Sequence, residues 1–135
     1  MAIQVAKIGE LGTDQVDDIV LLSANPSAGK YKTFESPVST NYQVPAGKKL
    51  DLLRLLGCHL TGCGGVMIGY GDDVVNNSSS PPTNFVPIFM SIQTKLSPDM
   101  VDIPIFSQVP AGKYPCAKSL GQEEYINVWG LKVSI

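Results

Sequence analysis

Charge is scarce in this chain. Of 135 residues, 16% are Asp, Glu, Lys or Arg, while 44% are hydrophobic; an ordinary soluble domain carries ~25% charged residues. A body of this size needs a polar skin, and ionic groups cannot supply much of one. Uncharged polar residues must coat the surface, or other subunits must cover part of it. The second reading is adopted, since large exposed apolar patches mark contact sites. Arginine is nearly absent: Arg54 stands alone, and twelve acidic residues outnumber ten basic ones for a net charge of −2. Nucleic-acid binders concentrate Lys and Arg on one face. The densest basic group here, Lys30, Lys32, Lys48 and Lys49, reads as a solvated face or subunit contact. No nucleic-acid partner is expected.

Histidine is limited to His59. That excludes a multi-histidine metal site. Any Ser-His-Asp or Cys-His arrangement would have to pass through this residue, and no nucleophile-elbow motif accompanies it. Cysteines number three, Cys58, Cys63 and Cys116. An odd count argues against a secreted disulfide framework and for buried thiols in a reducing compartment. Zinc held by Cys58, His59, Cys63 and Cys116 has suitable ligand types but poor spacing, because neighbours on a strand face opposite sides. A Cys58–Cys63 or Cys63–Cys116 disulfide is the other alternative. No apolar run approaches ~20 residues, so no membrane span is expected. Met1-Ala2-Ile3-Gln4 opens without a basic stretch leading into an apolar core. The expectation is synthesis in a cytoplasm, the chain staying there or leaving inside a larger particle.

What the chain does have is a repeat. Gln43-Val44-Pro45-Ala46-Gly47-Lys48 returns as Gln108-Val109-Pro110-Ala111-Gly112-Lys113. Each copy joins two apolar stretches. Pro with Gly two places later suits a type I turn, Pro at its second position and Gly at its fourth. The hexapeptide therefore reads as a strand-turn-strand corner used twice. The flanks do not match, so a reused corner is all that is claimed.

The other signals are strand signals. The run 3–8 alternates apolar and other residues in its first five positions, and 9–14 break the pattern. Short runs at 18–23 and 31–34 follow, then 38–44 leading to the first corner. The run 50–60 fits a helix stripe at Leu50, Leu53, Arg54 and Leu56. It also fits alternation at Leu50, Leu52, Arg54 and Leu56; Gly47 before it and Gly57 inside it favour a strand. Gly62, Gly64, Gly65, Gly69 and Gly71 form no phosphate loop, since no Gly-Lys-Ser/Thr follows. They read as a turn and then a strand at 66–70, with Gly69 at a bulge or close backbone approach. Residues 76–84 (Asn-Asn-Ser-Ser-Ser-Pro-Pro-Thr-Asn) read as an exposed loop. Strands are expected at 85–96, with Pro87 marking an edge or strand start, then at 103–109, 114–120 and 125–133, with a turn at 97–99. These signals predict an all-β domain over residues 1–135. It would be a β-sandwich or jelly roll of about eight to ten short antiparallel strands. Residues 1–25 are a candidate extended arm.

Candidate chemistry is thin. Asp17-Asp18, Asp72-Asp73 and Glu123-Glu124 are adjacent carboxylates that point apart on a strand or turn, unlike a glycosidase pair. Asp72, Asp73, Asn76 and Asn77 could offer oxygens to calcium, but turn capping is the plainer role. Tyr70, Phe85, Tyr114, Tyr125 and Trp129 could serve a sugar platform if they lie on a solvent face; Trp129 is expected in the core. No catalytic, cofactor-binding or metal-ligating residue is assigned, and no cofactor is expected.

The repeated Gln-Val-Pro-Ala-Gly-Lys corner, the low charge, the opening residues and the closing Tyr125-Ile126-Asn127-Val128-Trp129-Gly130 together resemble the small β-sandwich virion proteins of tailed bacteriophages. Those include capsid decoration (cement) proteins and tail or head-fibre domains. The resemblance implies a non-catalytic structural protein. It implies a homo-oligomer, with trimers favoured, bound to a major capsid or other virion protein after synthesis in the host cytoplasm. A carbohydrate- or ligand-binding β-sandwich module is the alternative function.

Overall fold

The computed structural model describes residues 15–59, 64–93 and 100–135. Among them the regular elements are all strands: β1 (Gln15–Ala24), β2 (Tyr31–Thr33), β3 (Lys48–His59), β4 (Gly64–Gly71), β5 (Asn76–Ser78), β6 (Val86–Gln93), β7 (Met100–Val109), β8 (Tyr114–Ser119) and β9 (Glu124–Ser134). The strand predicted at 3–8, its break at 9–14 and the turn at 97–99 lie outside the described residues. Of the candidate arm, residues 15–24 form β1, an integral strand rather than a loose extension.

Pairing follows one rule. β1 pairs with β9, β2 with β8, β3 with β7 and β4 with β6, all antiparallel. The chain is thus doubled on itself about β5, and the doubled ribbon is wrapped into two sheets. One sheet has the order β1-β9-β3-β7, the other β5-β2-β8-β4-β6. This nesting of two Greek keys is a jelly roll, as the strand signals predicted.

The core lies between the sheets. Val20, Leu22, Leu50, Leu52, Leu55, Ile126 and Val128 enter from the four-stranded sheet, and Val66, Ile68 and Ala117 from the five-stranded one. Phe34 and Val44, from the connection between β2 and β3, are fully buried among them. Each fully buried Leu, Ile, Val or Phe contributes about 1.5–3 kcal/mol by leaving water.

The run 50–60 is a strand, and the helix stripe is overturned. Simple alternation also fails midway. Leu50 and Leu52 point inward, but the next core residue is Leu55, because β3 carries an extra residue opposite β9 between Leu52 and Arg54. Residues 38–44 form no strand. Ser36 and Ser39 close a tight turn through Pro37 and Val38, and Tyr42 N–H then donates to the Phe34 carbonyl at 2.8 Å. Part of the polar segment 76–84 is the short strand β5, which pairs with β2.

The corners are turns of a different kind from the one predicted. Lys48 N–H donates to the Pro45 carbonyl (3.2 Å) and Lys113 N–H to that of Pro110 (3.4 Å). Proline therefore holds the first turn position and glycine the third, at φ 74° for Gly47 and 79° for Gly112. Positive φ at the third position defines a type II turn. Ser27-Ala28-Gly29-Lys30 repeats the device, with Gly29 at φ 72° and Lys30 N–H on the Ser27 carbonyl at 2.9 Å. Ala-Gly-Lys is the common element, and each copy opens a strand. The two full hexapeptides lie side by side: Gly112 N–H donates to the Val44 carbonyl (2.8 Å) and Val44 N–H to that of Lys113 (3.0 Å).

Candidate interaction face

The two sheets differ in what covers their outer sides. On the five-stranded sheet, residues 72–85 cross that side. Phe85 meets Tyr31 edge-on with ring centroids 5.5 Å apart. It also fills the space that a side chain at Gly69 would need, and Pro82 does the same at Gly71. Gly69 marks both a break in register with β6 and a close approach, as its sequence setting predicted. Pro87 is the second residue of β6, an edge strand. The segment is tied down by its own polar residues. The Asp73 carboxylate accepts from Thr83 N–H and Thr83 Oγ1, both at 2.8 Å, and Asp72 accepts from Asn84 Nδ2 at 2.7 Å. Asn77 Oδ1 accepts from Ser27 N–H at 3.0 Å, and Asn76 Oδ1 from Lys32 at 2.6 Å. The four residues considered for calcium thus cap turns and bind loops together.

The outer side of the four-stranded sheet carries large apolar side chains open to solvent, set among polar ones. Register places Leu21 beside Trp129, Trp129 beside Arg54 and Arg54 beside Pro104. Their strand neighbours Leu22, Val128 and Leu55 face the core, so this row faces outward. The next row runs Ser23, Asn127, Leu56. Ile19 is 55% exposed, Leu21 58%, Tyr125 48% and Phe106 75%. Tyr125, Asn127 and Trp129 alternate along β9 on this face. Trp129 is only partly buried and stands outside the core, contrary to its predicted place; its strand is internal, but its side is the outer one.

Two irregularities shape the face. Against the step from Gly130 to Trp129, β3 inserts Leu53, and β7 inserts Ile105 and Phe106. The bulge thus grows toward the β7 edge. Gly130 is required there, since a Cβ would collide with the Asp51 carbonyl. Phe106 adopts φ 55°. Positive φ is rare for a bulky residue, and such strain costs on the order of 1–3 kcal/mol. Bulges commonly re-aim a side chain, and this one holds an aromatic ring out in water. Sequence reasoning had placed no significance on Phe106. From the β1 margin a groove of about 370 Å³ runs over β1 and β9 to β3, beside the turn after β2. It is lined by Leu21, Glu35, Pro37, Leu56, Asn127 and Trp129, among others.

The chemical candidates do not converge. Cys116 is buried on β8 of the five-stranded sheet, whereas Cys58 and His59 belong to β3 of the other. Cys63 lies outside the described residues. Burial, with help from the Asp73 charge, pushes the Cys116 thiol up to about 12, leaving it protonated and unreactive. Among the described residues, no three or more His, Cys, Asp or Glu side chains gather as a metal site, and no helix is long and apolar enough to cross a membrane. Asp17 is held below the usual carboxylate range by hydrogen bonds from Lys48 (2.5 Å) and Ser134 (2.7 Å). Asp72 is lowered likewise by Lys113 and Asn84. Each hexapeptide lysine thus pins its corner to a carboxylate elsewhere. Of the aromatics considered for a sugar platform, Tyr125 and Trp129 share the open face, Tyr70 packs against the core, and Phe85 packs against Tyr31.

Comparison with protein-family models finds none that matches the chain, and comparison with curated proteins finds no match.

Proposed function

We propose that this chain is a non-catalytic structural protein that self-associates and stabilises a larger assembly. One observation supports this above others: Ile19, Leu21, Tyr125 and Phe106 lie open to solvent on the outer side of the four-stranded sheet. Exposed patches above a few hundred Å² mark contact surfaces, and the chain has little charge with which to solvate one. A phage virion, with the protein as a capsid decoration (cement) subunit on a major capsid protein, is the setting its sequence resemblance suggests. Residues 76–84 would then form an outward polar tip. Size-exclusion chromatography with light scattering tests the self-association. The wild-type chain is expected to elute as a homo-oligomer, and Leu21→Glu to shift it toward monomer. A wild-type monomer at all concentrations would contradict the reading.

A second reading, glycan binding, is favoured by the solvent-side placement of Tyr125 and Trp129 on one strand with Asn127 between them. Planar aromatics on an open face can stack on sugar rings. Trp129 is the single tryptophan, so intrinsic fluorescence reports directly on this face. A saturable change with oligosaccharides in a monomeric protein would favour this reading.

A further inference from the structure

Resting on the self-association reading, we propose that the outer side of the four-stranded sheet is covered by the same side of a second copy, the two related by a two-fold axis parallel to the strands. The row across the face reads Leu21, Trp129, Arg54, Pro104 from β1 to β7. Turned over about an axis along the strands between β9 and β3, it reads Pro104, Arg54, Trp129, Leu21. Leu21 then meets Pro104 of the partner subunit, an apolar pair. Trp129 meets Arg54 of the partner subunit, an aromatic face against a guanidinium, the pairing cations favour. Each contact occurs twice, as an isologous interface requires.

The same rotation explains the two irregularities. Phe106 belongs to the β7 margin, and the groove runs from the β1 margin over β9 to Leu56 of β3, so the axis brings Phe106 of one copy over the β1 end of the other copy's groove. The Phe106 bulge sits at the step between Gly130 and Trp129, and Leu21 and Trp129 line the groove. The ring of one copy therefore enters the groove of the other at nearly the same level along the strands. An otherwise unfavourable φ and a ring exposed to water are both compensated when that ring is buried. Aromatic side chains buried in a partner's pocket are among the residues that carry most interface energy.

The area is also suitable. Four strands at ~4.8 Å and about ten residues at ~3.3 Å give a face of roughly 19 by 33 Å, on the order of 600 Å² before side-chain relief is counted. A stable pair takes about 800 Å² from each partner; with Leu131 and Val133 at one end of this side already buried, the open part reaches that order only when side-chain relief and the Phe106 contact are counted. Aligned sheets pack this way, about 10 Å apart and some 30° from parallel.

Sedimentation equilibrium on wild-type chain and Phe106→Asn is the test, with thermal melting to confirm that the variant folds. Asn tolerates positive φ, so the fold is expected to melt no lower than wild type. The dimer is expected to weaken by roughly 30-fold or more, the loss of one strong anchor. A 1:1 mixture of Phe106→Cys and Leu21→Cys chains, oxidised, is expected to give a cross-linked pair that neither variant gives alone beyond the wild-type background. A wild-type trimer would overturn the two-fold pair while leaving self-association standing. A wild-type monomer would overturn both. A dimer indifferent to Phe106→Asn, or no mixture-specific cross-link, would overturn the pairing while sparing the broader reading.

Discussion

Single side chains carry unequal weight in this fold. Phe34 reaches the core from a connection between strands and is completely buried. Phe34→Ala is expected to cost about 3–5 kcal/mol, read as a lower urea midpoint. Cys116 is expected to resist iodoacetamide at pH 8 in the native state and to react once urea unfolds the chain, read by mass mapping of its peptide. Labelling of Cys116 in folded protein would contradict its raised thiol pKa. Phe106 shows why part of the candidate face escaped sequence reasoning. Its significance lies in a backbone angle and an outward aim, and both follow from a register offset with β3 that no local pattern encodes. Trp129 escaped for a related reason. An aromatic in a β-branched run reads as core, yet alternation alone does not say which side of a strand faces inward.

At the scale of elements, the corners are the most legible part of the chain. The hexapeptide was recognisable as a turn used twice, because Pro and Gly punctuate the backbone for steric reasons. Its assignment within the turn needed the hydrogen bonds of Lys48 and Lys113, which shift the frame by one residue. The third copy, Ala28-Gly29-Lys30, went unread, because the whole hexapeptide rather than Ala-Gly-Lys was taken as the unit. Gly47→Ala and Gly112→Ala are each expected to destabilise by about 1–2 kcal/mol, the left-handed penalty of a Cβ, by urea unfolding. Neither glycine has a heavy atom near its would-be Cβ, so crowding adds nothing to that cost. The strand run 50–60 was also legible. Its change of face at Leu53 was not, since a bulge is a property of two paired strands rather than one.

For the whole molecule, an all-β body of two sheets followed from many short runs separated by turn residues; the strand order that makes it a jelly roll did not, because it depends on which distant strands pair. Which sheet would lie bare did not follow, because that depends on where residues 72–85 cross. The acid response belongs at this scale too, since Asp17 and Asp72 tie distant parts of the chain together. Their folded pKa values lie below the unfolded ones. The stability they add is therefore present above pH ~4 and lost as pH falls through the folded values. Urea midpoints are expected to drop below pH ~4. The Asp17→Asn, Asp72→Asn double variant should show a shallower drop, and a modest one, because both pairs are solvent-exposed.

Covalent footprinting of side chains at low and high protein concentration tests most directly that another copy covers the bare sheet. Labelling of Leu21, Tyr125 and Phe106 is predicted to fall as concentration rises, while Met90, exposed on the other sheet, stays equally labelled. Unchanged labelling of all four across the concentration range would contradict the account.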